Sequence, residues 1–428
     1  MSVIYIEGGR PLQGTVPIAG SKNTALAILS AVLLSKGKTT ISNVPNVSDL
    51  RIKQQLLDVF GAQTVWDGDE LIVDCSDLHD VRPDADLVRS IRTSFYLLGP
   101  LLARNKRVTM PAPGGCKIGA RPVDYHLKGL EAMGAQIDLV EGTYVASADR
   151  LVGAKIHFGF PSAGATQHLM TTACIAHGIT TITNAAIEPE VTHLADFLGR
   201  LGARIEGVGT HTICIYGKDS LGGSQYRIPA DRMQAGTYLM AGAVTGGDVT
   251  VQGVLPEELA SVTSKLTEMG AEITEGHDTI RVQAPNRLKA VRIKTMPHPG
   301  FPTDLQQPAA AILATAEGTS VIEETIYESR IGHIDQLNRM GADITLEAGK
   351  ISIITGVDRL SGTSVEASDL RAGAALVVAG LAAEGETQVR NVQFIDRGYA
   401  NLEANLNSLG ARVHRESDET QSHQEVLV

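Results

Sequence analysis

The stretch HLADFLGRLGA, residues 193–203, reads as an amphipathic helix that runs into Gly-Ala, and RIEGVGTHTICIYG, residues 204–217, continues it as an alternating pair of short strands. The same ending recurs as VFGA at 59–62, AMGA at 132–135, RLGA at 200–203, EMGA at 268–271, RMGA at 339–342 and SLGA at 408–411. The six glycines, 61, 134, 202, 270, 341 and 410, are spaced 68 to 73 residues apart. That near-constant interval predicts one supersecondary unit used six times.

Each unit also carries a helical stretch of another kind, apolar on nearly every side. These are TALAILSAVLLSKG (24–37), SFYLLGPLLARNK (94–106, without the closing Gly), HLMTTACIAHG (168–178), TYLMAGAVTGG (237–247), PAAAILATAEG (308–318) and GAALVVAGLAAEG (373–385). A helix without a polar face has to be buried all round, so these six are predicted to be core helices. A short β-rich run follows each one: TTISNV, RVTMPA, TTITNA, DVTVQG, TSVIEE and TQVRNV. The alternation predicts an α/β fold.

The sixth unit stops at ARVHR, 411–415, before the second strand of its pair. Its missing half lies at the other end of the chain, where IYIEGGRPLQGTVPIAGSKN (4–23) has the pattern of IRVQAPNRLKAVRIKTMPHPGFPTD (280–304). At 428 residues the chain also exceeds what one core usually supports. The expected organisation is therefore a first domain, 21–229, holding repeats one to three. A second, similar domain would be 1–20 plus 230–415, holding repeats four to six completed by the amino-terminal strand, with crossovers near 20 and 230. The polar tail 416–428 is expected to be disordered.

Lys and Arg total 37 against 48 Asp and Glu, a formal charge of −11, which argues against nucleic acid or an anionic membrane as the main partner. Cys75, Cys116, Cys174 and Cys214 have neither metal-ligand spacing nor the density of a disulfide framework, and no targeting or membrane-spanning segment is evident. A soluble cytoplasmic protein is expected.

Within this acidic chain, cations gather at the openings of the helices. Lys22, Arg92, Arg232 and Arg371 stand at the start of buried stretches, and Arg121, Arg330 and Arg397 at the start of amphipathic ones. Positive side chains there oppose the helix dipole, an arrangement that makes sense where an anion is bound. The competing reading is ordinary Ser, Thr and Asp caps beside solvated arginines. The second repeat contains PAPGGCKIGARPVD, 111–124, a loop rich in glycine and proline that reads as a mobile lid carrying the Cys116 thiol. Lys117 and Arg121 beside it would favour thiolate. On spacing alone an inert cysteine remains the alternative.

Pro113 to Asp124 of this loop, together with Ser21-Lys22-Asn23, Pro299-Gly300-Phe301-Pro302-Thr303-Asp304-Leu305-Gln306 and Asp396-Arg397-Gly398-Tyr399, closely resembles the UDP-N-acetylglucosamine enolpyruvyl transferase family. The resemblance runs through residues 1–415. It implies an inside-out α/β barrel of two similar domains, each of three βαβαββ-type units, with helix amino ends facing the cleft between them. It implies transfer of the enolpyruvyl group of phosphoenolpyruvate to the sugar 3-hydroxyl with release of phosphate, the first committed step of peptidoglycan synthesis.

By the same resemblance Cys116 is the proton donor, the residue that adds covalently to substrate, and the target of the epoxide fosfomycin. Asp304 orients or deprotonates the sugar hydroxyl, with Lys22 and Arg397 completing the catalytic set. Phosphoenolpyruvate would be held by Lys22, Asn23, Arg121, Arg330, Arg371 and Arg397. The UDP-sugar would be held by Asn23, Arg92, Arg121, Pro122, Val123, Asp124, Tyr125, Ser162, Ala163, Gly164, Asp304 and Ile326. No metal and no cofactor are implied, because fixed cations supply the charge; the partners are the two small-molecule substrates.

Gln234 and Ala400 stand where the family pattern has Glu, His168 stands where Asn is common, and Ile331-Gly332 after Arg330 is unusual. Two other readings remain at this point. One is the sister 3-phosphoshikimate enolpyruvyl transferase, which lacks the Gly-Gly-Cys loop; the other is a weakly active paralogue that serves regulation.

Overall fold

The computed structural model describes residues 2–114 and 122–417. In chain order the helices are α1 (Lys22–Ala31) and α2 (Ser48–Val59), then α3 (Ala85–Ser90), α4 (Leu98–Asn105) and α5 (Asp124–Ala132), then α6 (Ala163–Ala173) and α7 (Pro189–Arg200). They continue with α8 (Arg232–Val244) and α9 (Ala260–Glu268), α10 (Gln306–Leu313) and α11 (Ile334–Arg339), and α12 (Leu370–Ala382) and α13 (Leu402–Ser408).

The Gly-Ala signature is a helix terminator. At all six copies the glycine takes φ between +92° and +103°, where any side chain would be strained. The alanine N–H reaches back to the carbonyl of Leu57, Leu130, Leu198, Leu266, Leu337 or Leu406 at 2.9 to 3.1 Å, and the glycine N–H bonds three residues back. This pair of bonds is the Schellman cap, which satisfies carbonyls that the end of a helix would otherwise leave open.

The apolar stretches form helices that are buried nearly throughout. Two of them start with a 3-10 turn, Arg92–Leu97 ahead of α4 and Thr303–Leu305 ahead of α10. The stretch without a closing glycine ends on Lys106, which itself adopts the left-handed conformation at φ +64°.

The described residues divide into two compact units, 2–19 with 230–417, and 20–114 with 122–229. Each contains three small sheets, all mixed except the antiparallel one formed by Arg107–Pro111, Thr143–Ser147 and Gln136–Val140. In the first unit α8, α10 and α12 pack on one another; a Cβ at Gly236 of α8 would come within 2.4 Å of Leu305, so glycine sets that approach. In the second unit α1 and α4 both pack on α6.

Strand β1 (Ser2–Glu7) lies between Glu386–Arg390 and Arg412–Ser417 and is antiparallel to both, so the two ends of the chain share one sheet. Strand β2 (Gln13–Pro17) runs parallel to Asp248–Gln252. The strands Thr279–Gln283 and Arg292–Lys294 are paired in the same way one repeat along. Asn43, Asn184 and Asn391, each just after the central strand of its sheet, sit at φ +54° to +59° and donate a side-chain N–H to Ile228, Phe158 and Ala367 respectively. Asparagine tolerates this conformation better than most residues, and here it ties the end of the neighbouring parallel strand.

Candidate active site

In the unit formed by 2–19 and 230–417, two of the candidate side chains, Arg330 and Arg371, converge on Asp304. The 3-10 turn Thr303–Leu305 brings Asp304 to the head of α10. Arg330 Nη1 donates to Asp304 Oδ1 at 2.8 Å and to Thr303 Oγ1 at 2.8 Å. Arg371 donates to Asp304 Oδ2 from Nε at 3.2 Å and Nη2 at 3.1 Å. Both guanidiniums are buried, Arg330 at 5% exposure and Arg371 at 2%. Burial works against the Arg330 charge, yet Asp304 raises its pKa above the ordinary value. Burial likewise opposes the Arg371 charge, and Tyr399, Asp304 and Asp231 together raise it.

Arg371 stands in the first turn of α12, whose cap Asp369 accepts from the N–H groups of Arg371 and Ala372. Its Nη1 donates to the Tyr399 hydroxyl at 2.9 Å. Thr237 spends its own proton on the Met233 carbonyl, so it accepts from Tyr399 at 2.9 Å. A directed chain thus runs from Arg371 through Tyr399 and Thr237 into the first turn of α8. Gln234 of the same turn donates to the Gly398 carbonyl at 3.1 Å. A carboxylate at 234 would have no proton to donate there.

Glu324, buried at 3% exposure, fixes the other side of this cluster. Its carboxylate accepts from the Thr303 hydroxyl, the Thr295 hydroxyl, and the N–H groups of Ile326 and Tyr327 at 2.7 to 3.0 Å. His333 is fully buried with neither ring nitrogen hydrogen-bonded, and burial pushes its pKa down to about 4.

In the other unit Lys22 opens α1, and the cap Ser21 accepts from Thr24 N. Lys22 Nζ is 2.8 Å from Asp49 of α2, with both side chains nearly buried. Asn23 and Arg92 are half-buried, Arg92 at the head of its 3-10 turn. Ser162 caps α6 by accepting from Ala165 N. A Cβ at Gly164 would meet the Tyr96 hydroxyl at 2.4 Å, so the Ser162-Ala163-Gly164 opening lies against that ring. Asp124 and Tyr125 start α5, and Tyr125 rests on Phe158 with ring centroids 5.2 Å apart.

His168 has both ring nitrogens engaged. Its Nε2 accepts from Gly99 N–H at 2.8 Å, so the proton of the neutral ring sits on Nδ1 and faces His126 Nδ1 at 2.9 Å. Burial, then His126 and Lys53, hold it well below the usual histidine pKa.

Cys116 and Arg121 lie outside the described residues, as does Lys117. Of the other thiols, Cys75 is pushed up to about 12 by burial, Cys174 is raised by burial still further, and Cys214 is half-buried.

The expectation that the cations open helices needs correction. Lys22, Arg232 and Arg371 do stand in first turns of α-helices, and Arg92 opens a 3-10 turn. Arg330 instead lies in a turn four residues before α11, and Arg397 closes the 3-10 segment Val392–Arg397. At Arg330 the chain spends the residues between on turns that half-bury Ile331 and fully bury His333. At Arg397 a left-handed Asn401 delays the start of α13. Sequence reading gave no role to Glu324 or Thr237, nor to Tyr399, which it met only as the end of the motif 396–399. Glu324 had a signal, because it directly follows its central strand where three other repeats have the left-handed asparagine.

Among the described residues no three His, Cys, Asp or Glu side chains gather as a metal site, and no helix is long and apolar enough to cross a membrane.

Comparison with known proteins defines the class. Residues 6–406 match the family model for EPSP synthase (3-phosphoshikimate 1-carboxyvinyltransferase). The crystal structure of the enolpyruvyl transferase NikO from Streptomyces tendae superposes with a TM-score of 0.87 at 26% identity, covering 97% of this chain and 98% of that one. Among curated relatives, UDP-N-acetylglucosamine 1-carboxyvinyltransferase 1 of Caldanaerobacter subterraneus subsp. tengcongensis is 46% identical over 96% of this chain and 98% of its own length. UDP-N-acetylglucosamine 1-carboxyvinyltransferase of Clostridium botulinum is 44% identical over 97% of this chain and 100% of its own. The chain belongs to the EPSP synthase family of carboxyvinyl transferases and, within it, to the UDP-N-acetylglucosamine 1-carboxyvinyltransferases.

Proposed function

We propose that this protein transfers the enolpyruvyl group of phosphoenolpyruvate to the 3-hydroxyl of UDP-N-acetylglucosamine, releasing phosphate, as the first committed step of peptidoglycan synthesis in the cytoplasm. One observation carries the reading beyond family membership: two buried guanidiniums, Arg330 and Arg371, converge on the single carboxylate of Asp304. Such a pair suits an incoming carboxylate, bidentate and charge-assisted. When the carboxylate of phosphoenolpyruvate takes over the guanidiniums, Asp304 becomes available to the sugar hydroxyl.

In the proposed mechanism the sugar O3 attacks C2 of phosphoenolpyruvate as its proton passes to Asp304, and the Cys116 thiol delivers a proton to C3. The resulting tetrahedral adduct loses a proton from C3 and expels phosphate, restoring the C2–C3 double bond on the sugar. Lys22, Arg121 and Arg397 would neutralise the departing phosphate, and Asn23 would assist them. Arg92, the 122–125 segment, Ser162 to Gly164 and Ile326 would hold the UDP-sugar.

The finer architecture belongs to the same proposal. The domains would be 21–229 and 1–20 with 230–415, each of three βαβαββ-type units, in an inside-out α/β barrel of two similar domains. Three sheets in each compact unit support it.

A phosphate-release assay with phosphoenolpyruvate tests the function. Release is expected with UDP-N-acetylglucosamine as acceptor and not with shikimate 3-phosphate; the reverse pattern would assign the sister activity, and binding without release a regulatory paralogue.

A further inference from the structure

Lys53 is a charged residue that the proposed chemistry does not use. It lies on α2, has 0% exposure, and forms no ion pair among the described residues. Its Nζ makes one hydrogen bond, to the Thr93 carbonyl at 2.7 Å. Burial alone drives its pKa well below the usual lysine value. An apolar side chain of similar length would fill this volume without the cost of desolvating an amine. The amine is therefore kept for what it holds.

What it holds is the turn that carries Arg92. The 3-10 segment Arg92–Leu97 has no side-chain cap; Ser94 Oγ ties it to the carbonyls of Val88 and Ile91, both upstream. Lys53 supplies a tie from a different element. One helical turn earlier on α2, Asp49 holds Lys22. Residues four apart share a helix face, so one face of α2 anchors both Lys22 and the Arg92 turn.

We propose that Lys53 is a positioning residue for the UDP-sugar, acting through the Thr93 carbonyl to fix the Arg92 turn in its binding geometry. This rests on the assignment of Arg92 to the UDP-sugar given above. The side chain does not touch substrate, so its loss should weaken acceptor binding and leave the chemistry alone.

The test is a double-mutant cycle in the full-length protein, with KM for both substrates, kcat, and the dissociation constant for UDP-N-acetylglucosamine measured by calorimetry. Lys53→Met is expected to weaken the UDP-sugar about five- to tenfold, the scale of one lost hydrogen bond, with kcat and the KM for phosphoenolpyruvate within about twofold. Lys53→Arg should recover most of the loss. In an Arg92→Ala background, Lys53→Met should add nothing, because the two act as one unit. If Lys53→Met does not fold, Lys53→Gln, which keeps a shorter donor, takes its place in the cycle. A normal UDP-sugar affinity in the lysine variant alongside a weakened one in Arg92→Ala, or additive losses in the double variant, overturns the proposal. An Arg92→Ala protein with undiminished affinity overturns the Arg92 assignment on which it stands.

Discussion

At the scale of single residues, charge and burial separate groups that bind from groups that react. In the proposed mechanism Asp304 acts as the sugar hydroxyl adds, so Asp304→Ala should lower kcat by about 10²-fold or more, the scale of general-base catalysis. Arg397, proposed to hold phosphate, would attract it in the ground state as well as the transition state, so Arg397→Ala should raise the KM for phosphoenolpyruvate as well as slow turnover. Steady-state kinetics on the two variants checks both, and near-normal turnover in Asp304→Ala would reduce that residue to an ion-pair partner of Arg330 and Arg371.

His333 sets a different expectation. Its folded pKa of about 4 lies below the ordinary histidine value near 6.5, so between these pH values the unfolded chain binds the extra proton. Its contribution to stability is therefore full above about pH 6.5 and is lost as the pH falls toward 4. The loss is on the order of 3 kcal/mol. Melting curves should show His333→Phe retaining more of its pH 7 stability at pH 4.5 than the parent does.

At the scale of elements, the Schellman glycines give the sharpest mutational contrast. Gly270 sits at φ +97°, and a Cβ added there would have no neighbour closer than 4.0 Å, so Gly270→Ala meets backbone strain rather than a clash. It should cost about 1–2 kcal/mol. Gly199, inside α7 and without near neighbours, is the opposite case, and Gly199→Ala should stabilise by up to about 1 kcal/mol. Denaturant unfolding of the two variants reads both signs.

The same glycines explain why so much of the fold was legible. A terminator that only glycine can occupy leaves a periodic mark in the sequence, and helices without a polar face leave another. The site was legible less evenly. Asp304 stood in the motif 299–306 and Arg330 and Arg371 in the pattern of cations at helix openings, but the residues that hold them, Glu324, Tyr399 and Thr237, owe their places to packing between distant repeats. Arg330 and Arg397 were misplaced at helix starts because turn lengths are set by which apolar side chains the loop buries. Lys53 left no mark at all, since a lysine on an amphipathic helix ordinarily reads as solvent-facing.

At the scale of the whole molecule, the chain closes one unit with both of its ends. Strand β1 is the middle partner of Glu386–Arg390 and Arg412–Ser417, so removing it would expose two strand edges at once. A chain lacking residues 2–10 should lose amide-exchange protection in the 230–417 unit, while α1, α6 and their sheets in the other unit keep theirs. Equal loss in both units would mean that they do not behave as separate compact bodies.

In the proposed mechanism the transfer proceeds by addition and then elimination. Nuclear magnetic resonance of the sugar product after turnover in deuterated water tests it most directly. The C3 carbon of phosphoenolpyruvate becomes a methyl group in the adduct and then loses one of its hydrogens, so the expected product is an enolpyruvyl ether on the sugar 3-oxygen with solvent deuterium in its vinyl group. A UDP-N-acetylglucosamine signal that stays unchanged while phosphoenolpyruvate and active-site integrity are both verified would contradict it.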